Sequence, residues 1–84
     1  MNLTLLTQPD CAGCEHAKQV LARLAGEYPL QVSEVDLRSP TGRDLATAHR
    51  LPFAPGLLLD GRLLGYGRIS ERALRRELNK ITHR

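Results

Sequence analysis

Stretches with the apolar period of a strand alternate along this chain with stretches that have the period of a helix, and this feature restricts the fold most strongly. A leucine- and threonine-rich segment predicts a strand over residues 2–7, which ends at the turn-forming residues 8–10. Apolar residues at spacings of three and four then predict a helix from Cys14 to a cap at Gly26. Such alternation is typical of parallel strand pairing, because a parallel connection needs a long crossover.

A second strand–helix unit follows. Residues 30–37 predict the strand, and Ser39 then predicts a helix start, because serine caps helices and the proline after it suits the first helical position. The predicted helix runs to about residue 50 and turns Leu45 and Ala48 toward the core.

The last third of the chain predicts a hairpin and a final helix. Asp60-Gly61 is a strong two-residue hairpin signal between the apolar runs 57–59 and 63–64, and Gly65-Tyr66-Gly67 is expected to break the second strand. Ser70 predicts the cap of the last helix. The apolar side of that helix is expected to hold Ile69, Ala73, Leu74, Leu78 and Ile81.

The predicted element order is therefore β-α-β-α-β-β-α, in a single α/β domain over residues 1–84 with a four-stranded mixed sheet flanked by three helices. The chain holds only three aromatic residues, Tyr28, Phe53 and Tyr66, so aliphatic side chains must fill the core. The scarcity of aromatic side chains also argues against a stacking platform for single-stranded nucleic acid.

The basic residues allow two interpretations. The formal net charge is +3, and five of the ten arginines lie between Arg62 and Arg76. They could form a basic patch for an acidic partner or nucleic acid, or a solvated helix face that also carries Glu71 and Glu77. Charged runs on helices are usually solvated faces, so the sequence favours the second interpretation and predicts no nucleic-acid partner.

Hydropathy and cysteine usage bear on the compartment. The first residues lack the basic region of a secretory signal, and no segment approaches the ~18 consecutive apolar residues of a membrane span. Two cysteines are too few for a secreted disulfide scaffold. We therefore expect a cytoplasmic monomer that does not bind membranes.

The pair Cys11 and Cys14 lies at the predicted junction of the first strand and the first helix. Winding the two intervening residues into a helical turn brings the sulfurs within bonding distance. Cys11 then lies at the helix N-terminus, where free N–H groups and the positive end of the helix dipole favour a thiolate. Cys14 is expected to be more buried. The sequence thus predicts a redox pair with Cys11 as nucleophile and Cys14 as resolving thiol.

A metal site is the main alternative to redox chemistry at this pair. Cys11, Cys14 and His16 form a C-x-x-C-x-H cluster, but tetrahedral zinc needs four ligands, and His49 and His83 are distant along the chain. We therefore expect neither a metal nor another cofactor, and an exposed His16.

With these motifs the chain resembles the thioredoxin superfamily, in particular its short glutaredoxin-like members. Residues 7–14, which lead into and include the cysteine pair, and the element order over nearly the whole length carry the resemblance. Ala54-Pro55 stands where the family places a cis-proline facing the redox pair, and Gly65-Tyr66-Gly67 falls where glutaredoxins have a glycine pair before the last helix. The resemblance implies a thioredoxin-like fold.

The resemblance also implies a thiol–disulfide oxidoreductase that acts on a disulfide-containing protein or a small thiol substrate and is reduced by thioredoxin reductase or glutathione. Ala12 and Gly13 are small enough for a substrate backbone to approach the pair. The resemblance adds Ala54, Pro55 and Gly67 as substrate-binding residues, with the backbone of Ala54 pairing with an extended peptide.

Two charges by which glutaredoxins bind glutathione are missing, since Gln8 stands in place of a lysine and Arg68 in place of an aspartate. An alternative function therefore stays open. The chain could be a non-catalytic domain of the same fold, which docks an extended peptide at Pro55 or shares a metal or iron–sulfur cluster between two subunits.

Overall fold

The structure is a computed structural model that describes residues 1–82, so His83, weighed above as a distant metal ligand, lies outside the described residues. The predicted element order is confirmed. Within residues 1–82, no helix is long and apolar enough to cross a membrane. The elements are β1 (Asn2–Thr7), α1 (Ala12–Ala25), β2 (Gln31–Asp36), α2 (Pro40–Ala48), β3 (Gly56–Leu59), β4 (Arg62–Tyr66) and α3 (Glu71–Thr82).

The four strands form one mixed sheet in the order β2-β1-β3-β4. β1 pairs in parallel with β2 and antiparallel with β3, and β3 pairs antiparallel with β4. Asp60 and Gly61 connect β3 to β4 with φ angles of 48° and 85°, the left-handed values that a tight two-residue hairpin needs. The predicted hairpin and the mixed sheet with three helices are confirmed.

One face of the sheet packs against α1 and α3 and holds the larger of two cores, which we call the major core. Its leucines come from both strands and helices, as expected for a chain so poor in aromatic residues. The eleven buried residues of the major core are Leu3, Leu5, Ala17, Val20, Leu21, Leu24, Leu57, Leu59, Ile69, Leu74 and Leu78.

The opposite face of the sheet packs against α2 and holds a much smaller core, which we call the minor core. Of the residues that the structure describes, only Leu6, Leu51 and Leu58 are buried there. Leu45 and Ala46 of α2 cover them and are themselves only partly buried. The loop between α2 and β3 covers residues 49–55, and its Leu51 is part of the minor core.

The predictions that Ala48 and Ala73 face the core are wrong, because both are exposed. On α2 the buried Gly42 marks the inward face, and Ala48 lies about 120° away around the helix axis. On α3 the buried Leu74 marks the inward face, and the preceding residue is turned about 100° from it.

The prediction that Gly65-Tyr66-Gly67 breaks the second hairpin strand is wrong in part. β4 includes Gly65 and ends at Tyr66, so only Gly67 lies outside the strand. The register of β3 against β4 shifts between Leu57 and Leu58, which marks a β-bulge. The bulge absorbs one residue of β4 and lets pairing continue past the glycine.

Candidate redox site

The cysteine pair lies where the chain leaves β1 and enters α1. Cys11 is the N-cap residue of α1, with an extended backbone (φ −117°, ψ 102°). Its carbonyl oxygen accepts hydrogen bonds from the N–H groups of Cys14 at 3.1 Å and Glu15 at 3.2 Å. Its Sγ accepts a further hydrogen bond from the Cys14 N–H at 3.1 Å. The sulfur thus takes the capping role of a serine or aspartate oxygen, because it satisfies an N–H without a partner inside the helix.

The two sulfurs are joined in a disulfide, and the Cα atoms are 5.2 Å apart, inside the usual range of about 4.4–6.8 Å. Cys14 is buried, with 2% of its surface exposed, whereas Cys11 is partly exposed. The prediction that Cys14 is the more buried of the two is confirmed. A second molecule therefore reaches Cys11 first.

The loop between α2 and β3 faces the cysteine pair. The Ala54–Pro55 peptide bond is cis, as the resemblance implied. A Cβ built on Gly13 would lie 3.3 Å from Cδ of Pro55, so the missing side chain lets the loop approach the first turn of α1. The Pro55 carbonyl accepts a hydrogen bond of 2.7 Å from the Gly67 N–H, which ties the loop to the segment between β4 and α3.

Gly67 satisfies two separate constraints. Its φ of 75° lies in the left-handed region that favours glycine. A Cβ at this position would also lie 3.0 Å from Cε2 of Phe53. The Phe53 ring packs edge-on against Tyr66, with ring centroids 5.5 Å apart and 85° between the planes. A side chain at Gly67 would therefore disturb both the turn and the aromatic pair.

These elements enclose a groove of ≈ 480 Å³, which we call the cysteine groove. Six of the seven site residues expected from the sequence line it, and the seventh, Cys14, is buried. The lining residues are Cys11, Ala12, Gly13, His16, Phe53, Ala54, Pro55, Gly67, Arg68 and Ile69.

Phe53 and Ile69 line the groove although the sequence analysis did not assign them to the site. Phe53 is the only phenylalanine of the chain, and half of its surface (52%) is exposed. The sequence signal for an exposed Phe53 was its position in a loop, between prolines 52 and 55, because aromatic side chains in loops are often not part of the core. Ile69 carried no such signal, because its spacing fits the apolar side of α3.

Ionisable side chains at the cysteine groove, other than Cys11, are His16 and Arg68, and both are exposed. The predicted surface position of His16 is confirmed. Within residues 1–82, no three His, Cys, Asp or Glu side chains lie close enough together to hold a metal ion. Arg68 gives the wall of the groove a positive charge.

Sequence comparisons point to one family. A model of the glutaredoxin-like domain (DUF836) matches residues 2–79. "Uncharacterized protein Rv0508" of Mycobacterium tuberculosis is 32% identical over 80 residues, which cover 93% of this chain and 82% of the relative. "Uncharacterized protein Mb0520" of Mycobacterium bovis matches with the same identity and coverage.

Solved structures share the fold. A mutant thioredoxin from Halobacterium salinarum matches with a TM-score of 0.72 at 23% identity, covering 94% of this chain and 72% of that one. The oxidized form of mitochondrial thioredoxin 3 from Saccharomyces cerevisiae gives a TM-score of 0.67 at 21% identity, with 94% and 76% covered. The expected thioredoxin-like fold is confirmed.

Proposed function

The chain belongs to the glutaredoxin-like domain family, and from this premise we propose that it is a thiol–disulfide oxidoreductase. One observation carries the proposal. Cys11 and Cys14 lie at disulfide distance at the start of α1, one of them in a groove and the other buried. This asymmetry suits a division of labour between a thiol that meets the substrate and a thiol that releases it.

In the proposed reaction the reduced protein starts with a Cys11 thiolate, which attacks one sulfur of a substrate disulfide. A bond forms between the Cys11 sulfur and that sulfur, and the second substrate sulfur leaves as a thiolate that takes up a proton. Cys14, once deprotonated, attacks the Cys11 sulfur and displaces the first substrate sulfur. Two electrons and two protons pass to the substrate, and the Cys11–Cys14 disulfide remains.

The surroundings of Cys11 support its assignment as the nucleophile. The Cys14 N–H donates to the Cys11 Sγ at 3.1 Å, and a hydrogen bond to sulfur stabilises the anion more than the neutral thiol. The N-terminus of α1 adds the positive end of its dipole. The burial of Cys14 keeps a substrate disulfide from reaching it before Cys11 has reacted.

The walls of the cysteine groove support an extended polypeptide as the substrate. Ala12 and Gly13 leave the approach to Cys11 unobstructed, and we propose that the backbone of Ala54 pairs with the substrate chain beside it. Phe53 and Ile69 offer apolar surface for the side chains next to the substrate cysteine.

Oxidised protein needs a two-electron reductant before the next turnover. We propose thioredoxin reductase or glutathione in a reducing cytoplasm. Titration of the cysteine pair against glutathione and thioredoxin redox buffers measures which of the two reduces it.

Trapping experiments test the proposal. Reduced Cys14→Ser protein should accumulate mixed disulfides with an insulin-like substrate, detected by mass spectrometry, because the resolving step is absent. Cys11→Ser is the matched control and should trap few. The wild-type protein should reduce the same substrate catalytically. Trapping through Cys14 instead would reverse the roles, and a wild-type protein without turnover or trapping would favour the binding-module alternative.

A further inference from the structure

A second groove lies between β4 and α3, with a volume of ≈ 450 Å³, and we call it the arginine groove. Arg62, Arg68 and Arg76 line it, and all three are exposed. Leu64 and Gly65 also line it, and a Cβ built on Gly65 would meet no atom within 4 Å. The groove therefore combines open space, an apolar side and three cations.

The three arginines of this groove have no acidic partner, a property that they share with Arg43, Arg50 and Arg72 among residues 1–82. Arg75 on α3, by contrast, bonds Glu27 at 2.6 Å. Among the described residues the groove has one carboxylate, Glu77, which pairs with Lys80 at 3.2 Å.

The arginine groove continues into the cysteine groove. Arg68 and Ile69 line both. Tyr66, in the arginine groove, packs against Phe53 of the cysteine groove. A polypeptide held at Cys11 therefore meets the arginine groove directly on one side.

We propose that the arginine groove binds an acidic segment of the protein substrate, next to the disulfide that reacts at Cys11. The inference rests on the proposed oxidoreductase function and names its substrate class. Carboxylates of the segment pair with Arg62, Arg68 and Arg76, and its apolar side chains contact Leu64 and the open space above Gly65. Charge complementarity of this kind mainly raises the association rate and discriminates against basic partners.

The apolar side of the groove favours a polypeptide over a nucleic acid. Grooves that bind single-stranded nucleic acid place aromatic rings among their cations so that bases can stack. Tyr66 is the one aromatic residue lining the arginine groove, and its ring is engaged by Phe53. A protein segment with alternating acidic and apolar side chains could pair with the three arginines and also contact Leu64.

Three peptides test the proposal with the reduced wild-type protein. They share one internal disulfide and carry flanking residues that are acidic (Asp, Glu), neutral (Asn, Gln) or basic (Lys). Stopped-flow rates at low ionic strength should be roughly tenfold higher for the acidic than for the neutral peptide and lowest for the basic one. High salt should reduce the difference to about twofold, because it screens exposed charges.

Two double variants with equal net charge locate the effect. Arg62→Gln with Arg76→Gln should lower the rate for the acidic peptide about fivefold. Arg43→Gln with Arg72→Gln removes the same charge outside the groove and should change it less than about twofold. Gly65→Leu should weaken binding of the acidic peptide without any change in charge, because it fills the groove.

Binding is measured separately from chemistry by fluorescence anisotropy of a cysteine-free acidic peptide on the oxidised protein. Equal rates and equal binding for all three peptides, or equal effects of the two double variants, would overturn the inference and leave the oxidoreductase function standing. Specific binding without reduction of any peptide would support the arginine groove and contradict the oxidoreductase function. Displacement of the peptide by a lower concentration of a DNA oligonucleotide would show that the partner class is wrong.

Discussion

The two faces of the sheet bury very different amounts of the chain, and the candidate site takes one wall from each. The major core has eleven buried residues and holds α1, which begins at the cysteine pair. Among residues 1–82 the minor core has three, and the loop that carries Pro55 is anchored in it through Leu51. Local stability generally follows such differences in buried apolar contacts. The cysteines thus stand on the well-packed half of the molecule and the wall opposite them on the sparsely packed half.

This difference teaches that stability and substrate contact are separable in this domain. The helix that carries the cysteine pair, α1, packs into the major core, whereas Phe53 is half exposed (52%) and packs against Tyr66 at the groove. Changes on the α1–α3 face should therefore act on folding. Changes on the loop side should act on the groove with less unfolding.

The strongest test compares neighbours on β3, each 2% exposed but on opposite faces: Leu57 in the major core and Leu58 in the minor core. Leu57→Ala should lower the free energy of unfolding by about 3–5 kcal/mol and Leu58→Ala by about 2–3 kcal/mol. The reason is that the densely packed major core can relax less around the cavity left by the substitution than the partly exposed residues of α2 can. Urea denaturation measures both values. Equal losses, or a larger loss for Leu58→Ala, would remove the contrast between the faces.

A smaller effect is expected where the two halves meet, at Gly67. Gly67→Ala should cost about 1–3 kcal/mol, because alanine disfavours a left-handed backbone and its Cβ would press on Phe53. The control, Gly65→Ala, places its Cβ in open space and should change stability by less than about 0.5 kcal/mol. Gly67→Ala should also slow disulfide reduction by disturbing the groove. Thermal unfolding and insulin reduction check the two parts, and similar results for both glycines would contradict this reading of the turn.

The loop wall itself should matter more to the substrate than to the fold. Phe53→Ala should raise the KM for a disulfide peptide about fivefold, the effect of losing ~1 kcal/mol of apolar contact. Its stability loss should stay below about 1.5 kcal/mol, the value of an aromatic pair. Val32→Ala is the control, since Val32 is a second exposed apolar residue, on β2 away from the groove. Steady-state kinetics decide the point, and an unchanged KM for Phe53→Ala would remove the loop from substrate binding.

The smallest effect concerns the ion pairs between α1 and α3. A hydrogen bond from Arg75 lowers the pKa of Glu27 below its ordinary 4.5. Arg23 and then Arg75 do the same for the pKa of Glu71. A carboxylate with a lower pKa when folded stabilises the fold above pH 4.5, and this contribution is lost as the pH falls below that value.

Glu27→Gln should therefore lose less stability than the wild type when the pH is lowered from 6 to 3, and the two proteins should converge in acid. Urea midpoints measured across this range test the sign. If the urea midpoint of the wild-type protein does not change between pH 6 and pH 3, these exposed ion pairs do not contribute to its stability.

Much of the fold could be predicted because its signals are local. The Asp60-Gly61 turn, the Ser39 cap and the C-x-x-C pair at a helix start each depend on a few neighbouring residues. The cis bond before Pro55 came only through family resemblance, since no local rule selects it. The prediction that Ala48 and Ala73 point toward the core was wrong, because the spacing of alanines does not determine how a helix is rotated against the sheet.

The parts of the site that could not be predicted depend on residues brought together from separate elements. Phe53 faces Gly67 through a contact between two loops, and the arginine groove needs β4 and α3 side by side. The sequence analysis favoured one solvated helix face for Arg62 and Arg76. Both are exposed, but Arg62 lies on β4 and Arg76 on α3, so the prediction of a single helix face is wrong. Their lack of acidic partners, however, became visible only in three dimensions.

β1 lies in the interior of the sheet although it is the first of the four strands in chain order. Leu3 pairs with Val32 on one side and with Leu59 on the other, so the second pairing waits until most of the chain has been translated. The two cysteines are therefore translated well before Pro55. The cysteine groove can form only after the loop that faces the cysteines has been made and β3 has paired with β1.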